Sequence, residues 1–119
     1  MQALKTLSEG LQEYTQDQRV ISRDGCIQRF EYCYELFWKT LKDALEEYHA
    51  ITVAGAKSAF TEAHRAMLIT DTELPALLEL ISLRNLTVHT YNEATAEMIA
   101  EKLPGCLALM QAIALRLNQ

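Results

Sequence analysis

Glycine and proline are scarce in this chain: four and two among 119 residues. Sheets joined by tight turns draw on both, and no stretch alternates apolar and polar residues as a half-buried strand does. Both shortages argue against a β-rich architecture. Cysteine occurs three times, an odd number, and Cys26, Cys33 and Cys106 make no Cys-x-x-Cys pair. A disulfide framework and a thiolate zinc site both lose their basis, and the isolated His49, His64 and His89 add no ligand spacing. No metal and no cofactor is expected. The thiols read as reduced and mostly buried, in a cytoplasmic setting. Positive charge is also short, with 11 Lys and Arg against 16 Asp and Glu for a net charge of −5. Such a chain has no general attraction for polyanions, so any contact with nucleic acid has to rest on a local basic cluster working against the overall field. No apolar run approaches the length needed to cross a bilayer, and Met1-Gln2-Ala3-Leu4-Lys5 leads into no apolar signal region, so no membrane partner is expected.

What is present is helical periodicity in a chain long enough for one domain, residues 1–119. A first helix over 2–17 carries Leu4, Leu7 and Leu11 on one stripe. Ser22-Arg23-Asp24-Gly25 reads as a break, with Ser22 or Asp24 capping a second helix over 24–49. That helix holds the strongest pattern: Ile27, Phe30, Tyr34, Phe37, Trp38, Leu41, Leu45 and Tyr48 fall on one face. After a connection over 51–56, a third helix over 57–68 points Phe60, Ala63, Met67 and Leu68 inward. Thr70-Asp71-Thr72 makes a capped turn, and Pro75 sits where a helix tolerates it.

A fourth helix over 72–90 is apolar on two sides, with Leu74, Leu77, Leu78, Ile81 and Val88 on one and Leu80, Leu83 and Leu86 on the other. In so small a domain the second cover is expected to be another copy of the chain. Asn92 caps a short fifth helix over 93–102, Pro104-Gly105 breaks it, and a last helix over 105–117 turns Leu107, Met110, Ala114 and Leu117 inward. The expected fold is all-α, an antiparallel up-and-down bundle of four main helices with one short extra helix.

Chemistry concentrates in Arg84 to Tyr91. Asn85 falls within the apolar stripe of its helix, where a polar group is costly unless bonded. Asn85 and His89 are four apart and share a face; Arg84 and Tyr91 are seven apart and share another. A guanidinium grips phosphate oxygens in pairs, and an imidazole is the side chain suited to proton transfer near neutral pH. Arg84 and His89 diverge by about 140° on an ideal helix, so a composite site made by two symmetry-related copies would bring them together. Glu31, at the edge of the aromatic stripe, is placed to pair with Arg84. His64 reads as a core or surface residue outside the site. Arg29, Lys39, Lys42, Lys57 and Arg65 are the candidates for a basic rim, each also readable as ordinary helix surface.

Two stretches resemble a known family: Arg23-Asp24-Gly25-Cys26-Ile27-Gln28-Arg29-Phe30-Glu31-Tyr32 continuing through Glu35-Leu36-Phe37-Trp38-Lys39-Thr40-Leu41-Lys42, and Arg84 through Glu93. The second carries Arg, four residues, His, one residue, Tyr, the signature of HEPN domains. The chain is similar to the nucleotidyltransferase substrate-binding proteins, also described as HepT-like HEPN toxins. That resemblance implies a helical bundle that forms a homodimer, and a minimal nucleotidyltransferase as partner. It also implies metal-independent cleavage of RNA at the dimer seam. On this reading Arg84 stabilises charge on the phosphate, His89 moves the proton as general base or acid, Asn85 orients the phosphate or the His, and Tyr91 corresponds to the tyrosine that the partner can modify with AMP. His64 and Met67 depart from the residues the family favours there.

Three functions therefore compete. The first is a toxin-type endoribonuclease neutralised by its nucleotidyltransferase. The second is a non-catalytic subunit that presents a substrate to that enzyme, and the third a structural interaction module.

Overall fold

The computed structural model describes residues 2–17 and 20–117. It is an all-α bundle of five helices: α1 (Gln2–Asp17), α2 (Val20–His49), α3 (Ala56–Arg65), α4 (Glu73–Leu86) and α5 (Glu93–Leu117), with a 3-10 turn at Thr87–His89 between the last two. No strand occurs among the described residues. α2 is the central element, packed against α1, α3 and α5, while α4 closes against α3 and α5. Two residues separate α1 from α2, and helices that pack side by side over so short a connection run antiparallel.

The helix-period stripes read from the sequence meet in one core. Leu4, Leu7 and Leu11 of α1 face Ile27, Phe30, Tyr34, Phe37 and Leu41 of α2; Phe60, Leu77, Leu80, Leu83, Ile99, Leu103, Met110 and Ile113 complete it. Phe37 and Phe60 lie with ring centres 6.0 Å apart. A smaller cluster of Leu45, Val53 and Ala59 seals the connection between α2 and α3. On α1, Gly10 faces Cys26 and the Arg29 guanidinium of α2, which a side chain at this position would displace.

Four expectations are corrected. First, α2 does not break at 22–25 but begins at Val20 and runs straight through. Arg23 is 1% exposed and shares the buried stripe of Cys26, Ile27 and Phe30, so this segment belongs to the helix. Second, α5 continues through Pro104. Pro104 is exposed, so the helical bond it fails to donate is lost on the solvent side rather than in the core. The uninterrupted α5 is long and apolar enough, by length and composition, to cross a membrane, contrary to the expectation from two short helices. Its apolar face is nonetheless used internally, with Ile99, Leu103, Leu107, Met110 and Ile113 all buried.

Third, α4 ends at Leu86 and tightens into the 3-10 turn. Val88 leaves the helical face and is exposed, and Asn85 is exposed rather than set in the apolar stripe; the buried residues are Leu77, Leu80 and Leu83. Fourth, Met67 is 90% exposed. α3 ends early, and Met67 takes a left-handed conformation (φ 65°). The Leu68 N–H returns to Ala63 O at 2.9 Å and the Met67 N–H to His64 O at 3.0 Å, the paired bonds of a Schellman motif. Tyr48, at the end of the aromatic stripe, is also exposed.

The turn before α4 is capped as its residues suggest. Thr70 N–H donates to Glu73 Oε1 at 2.8 Å, and Glu73 N–H donates to Thr70 Oγ1 at 3.2 Å. Glu73 also accepts both arms of Arg116 from the last turn of α5. That pairing holds the Glu73 carboxyl below the usual carboxylate range.

Candidate functional site

The site lies where α4 gives way to α5 against the middle of α2. Arg84 stands in the last turn of α4, with its side chain about a quarter exposed. Its Nη1 is 3.1 Å from Glu31 Oε2 and donates to Thr87 Oγ1 at 2.9 Å; Thr87 Oγ1 in turn donates to Arg84 O at 2.7 Å. The pairing of Glu31 with Arg84 expected from the sequence is thus present. Glu35, one turn further along α2, was not anticipated. Its Oε1 stands 3.9 Å from Arg84 Nε, while its Oε2 accepts Trp38 Nε1–H at 3.1 Å. The i, i+4 spacing of Glu31 and Glu35, which places both carboxylates on one face, was the available signal. Arg84 Nε is buried without a hydrogen-bond partner. Glu35 Oε1, at 3.9 Å, lies beyond its hydrogen-bond reach.

His89 ends the 3-10 turn and is exposed. Its Nδ1 is 3.2 Å from the Tyr91 hydroxyl, with the rings edge-on at 5.8 Å. Tyr91 is 84% exposed. Asn92 accepts Thr95 N–H on Oδ1 at 3.2 Å, the capping role read from the sequence, and its own N–H donates to His89 O at 3.1 Å.

Within one chain, Arg84 and His89 hold separate partners: Arg84 bonds toward α2, and His89 bonds toward Tyr91. A groove of about 580 Å³ between α4 and α5 takes in Leu83, Leu86, Met98, Cys106 and Leu109, but neither Arg84 nor His89. Asn85 is exposed beside this region.

The expected basic rim is dispersed. Arg29 lies against Gly10, Lys39 sits over the Trp38 ring at 5.9 Å, and Arg65 pairs with Glu62 at 3.3 Å. His64, read as lying outside the site, is 2.7 Å from Asp71 at the α3–α4 turn. No cluster of three or more His, Cys, Asp or Glu suited to a metal occurs among the described residues.

Arg23 is the other residue the sequence reading passed over. Its guanidinium is bonded to Asp24, Glu93 and Glu97. The bonds to Glu93 raise the Arg23 pKa above the usual arginine value and hold the Glu93 carboxyl below the usual carboxylate range. The signal was an arginine at i, i+3, i+4, i+7 register with Cys26, Ile27 and Phe30.

Comparison with known proteins agrees with this architecture along its whole length. A crystal structure of a protein from Thermus thermophilus superposes with a TM-score of 0.93 at 38% identity, over 99% of this chain and 98% of that one. No curated protein matches the chain. The family model described as "Nucleotidyltransferase substrate binding protein like" matches residues 1–119. With residues 1–119 under that model and a superposable structure at 38% identity over nearly the whole of both chains, the chain belongs to the nucleotidyltransferase substrate-binding protein family.

Proposed function

We propose that the chain is a metal-independent endoribonuclease of the HEPN type, partnered and neutralised by a minimal nucleotidyltransferase. The observation that carries this reading is the placement of a carboxylate-aimed guanidinium, Arg84, one 3-10 turn before an exposed imidazole, His89. In the reaction His89 accepts the proton of a ribose 2′-hydroxyl. The 2′-oxygen bonds to the adjacent phosphorus, the 5′-oxygen leaves and takes up a proton, and a 2′,3′-cyclic phosphate remains. Arg84 stabilises the charge gathering on the non-bridging oxygens. Asn85, exposed on the same stretch, orients the phosphate.

The separate bonding of Arg84 and His89 within one chain is accommodated by a homodimer in which two copies face each other across one cleft. Supporting this are the apolar groove of α4 and α5, lined in part by the exposed Leu86, and the exposed Val88 and Tyr91 that follow it in sequence. The test is incubation of the purified chain with RNA in the presence of a chelator. Cleavage leaving cyclic phosphate ends is expected, with Arg84→Ala and His89→Ala each losing about a hundredfold or more in rate. Intact RNA with the parent chain would overturn the reading.

A second reading is favoured by one observation: the Tyr91 hydroxyl is exposed and in contact with an imidazole that can take its proton. In this reading the chain is the substrate of the nucleotidyltransferase. The phenolate oxygen attacks the α-phosphorus of ATP, and pyrophosphate leaves. The adenylyl group would add bulk and negative charge beside the cleft and repel RNA. Mass spectrometry after incubation with the partner and ATP tests it: a gain of one AMP that Tyr91→Phe abolishes is expected, and no gain with the parent chain would overturn it.

A further inference from the structure

His89 and Tyr91 are both exposed, so contacts on their own turn hold them weakly. The chain that follows them is held firmly. Asn92 bonds back to His89 O and caps α5, and the next residue, Glu93, is gripped by Arg23. Arg23 Nη1 donates to Glu93 Oε2 at 2.7 Å and Nη2 to Glu93 Oε1 at 3.0 Å. Nη1 also donates to Glu97 Oε1 at 2.7 Å, and Nε to Asp24 Oδ1 at 3.1 Å. The arginine side chain is 2% exposed, whereas its three carboxylate partners are each more than half exposed. A buried guanidinium with two-armed contact fixes its partner's position far better than a pair of solvated side chains does. Losing the Glu93 contact would leave the guanidinium paired with Glu97 and Asp24 but would free the start of α5 from its two-armed grip.

We infer that Arg23 is a positioning residue for the His89–Tyr91 pair, acting through Glu93; the inference rests on the nuclease reading above. Arg23 and Glu31 both belong to α2, eight residues or about 12 Å apart along its axis. Glu31 anchors Arg84, and Arg23 anchors the start of α5. The ten residues from Arg84 to Glu93 are therefore strung between two points on one rigid helix, and that helix sets where imidazole and guanidinium stand relative to each other.

The test uses Glu93→Gln in the full chain, a change of charge at an exposed side chain that leaves the core intact, with Arg23→Lys as the harsher companion. Two readouts are taken: amide hydrogen exchange by residue, and kcat and KM for RNA. Exchange over residues 89–96 is expected to speed up about tenfold or more while α1 and α3 stay unchanged. A drop in kcat of about 10- to 100-fold is expected, with KM within about threefold. Exchange that is unchanged, or that rises evenly over all helices, overturns the inference, as does a loosened turn with unaltered kcat. If the parent chain leaves RNA intact, the nuclease reading falls alone. The exchange pattern then decides the Arg23 claim: acceleration confined to 89–96 supports it, and any other pattern overturns it.

Discussion

At the scale of single residues, direction matters more than strength. Glu31 meets Arg84 at 3.1 Å with both side chains partly exposed, so the pair adds little to stability, about 0–1 kcal/mol. Its effect is to aim the guanidinium. Glu31→Ala is expected to leave the thermal midpoint nearly unchanged while slowing RNA cleavage about tenfold, since misplacement of a charge-stabilising group is felt in the rate. The cysteines contrast with this. Burial pushes Cys33 and Cys106 up to about 11. At pH 8 their thiolate fraction is smaller than that of a free cysteine by a factor on the order of a hundred. Both should resist iodoacetamide in the folded chain and react promptly once it is unfolded in denaturant; rapid alkylation of the native protein would contradict their placement.

At the scale of helices, two glycines report on continuity. Gly25 lies inside α2 and Gly105 inside α5, and a Cβ at either would meet nothing within 4 Å. Gly25→Ala and Gly105→Ala should each stabilise the protein by about 0.5–1 kcal/mol, measured by urea unfolding, because an interior helical glycine carries an entropic cost that alanine lacks. If either segment were a turn, the gain would vanish. Met67→Gly should also stabilise, by about 1 kcal/mol, since Met67 holds a left-handed conformation with its side chain in solvent. The periodic stripes of α1 and α2 and the Asn92 cap were legible because they follow local rules. The helix through residues 22–25 was not, because what favours it is a tertiary bond from Arg23 to a residue seventy positions away. Pro104 misled for a related reason: a proline breaks a helix by rule, and only packing of Leu103 and Leu107 into the core tells that this one does not. In the site, residue types and the Glu31–Arg84 pair could be read ahead. The exposure of Asn85 could not, since α4 is apolar on two sides and only the tertiary packing shows that the Leu77, Leu80 and Leu83 side is the buried one.

At the scale of the whole molecule, charge and surface set the behaviour. Glu73 and Glu93 both titrate below the usual carboxylate range because arginines hold them. A carboxylate with a lowered folded value contributes its stability fully above its unfolded value, near 4.3, and loses it as pH falls through the folded value. The melting temperature should therefore be level from about pH 7 to 5 and decline below about 4.3. Arg23→Met and Arg116→Met should each flatten that decline. Assembly is the second whole-molecule property. Sedimentation at micromolar concentration is expected to give a dimer, with Leu86→Glu, at the edge of the α4–α5 groove, shifting it toward monomer and lowering nuclease activity in parallel. A clean monomer with full activity would remove the need for a shared cleft.

α5 is tied down near both of its extremities, by Glu93 and Glu97 to Arg23 and by Arg116 to Glu73. A helix of 25 residues usually unravels from its tips, but this one resembles a beam clamped at each support, with Glu93 and Arg116 about 35 Å apart. Slow opening should thus begin elsewhere than at the tips of α5. Releasing Arg116 should free the far tip of α5 while Arg23 still holds the end beside His89.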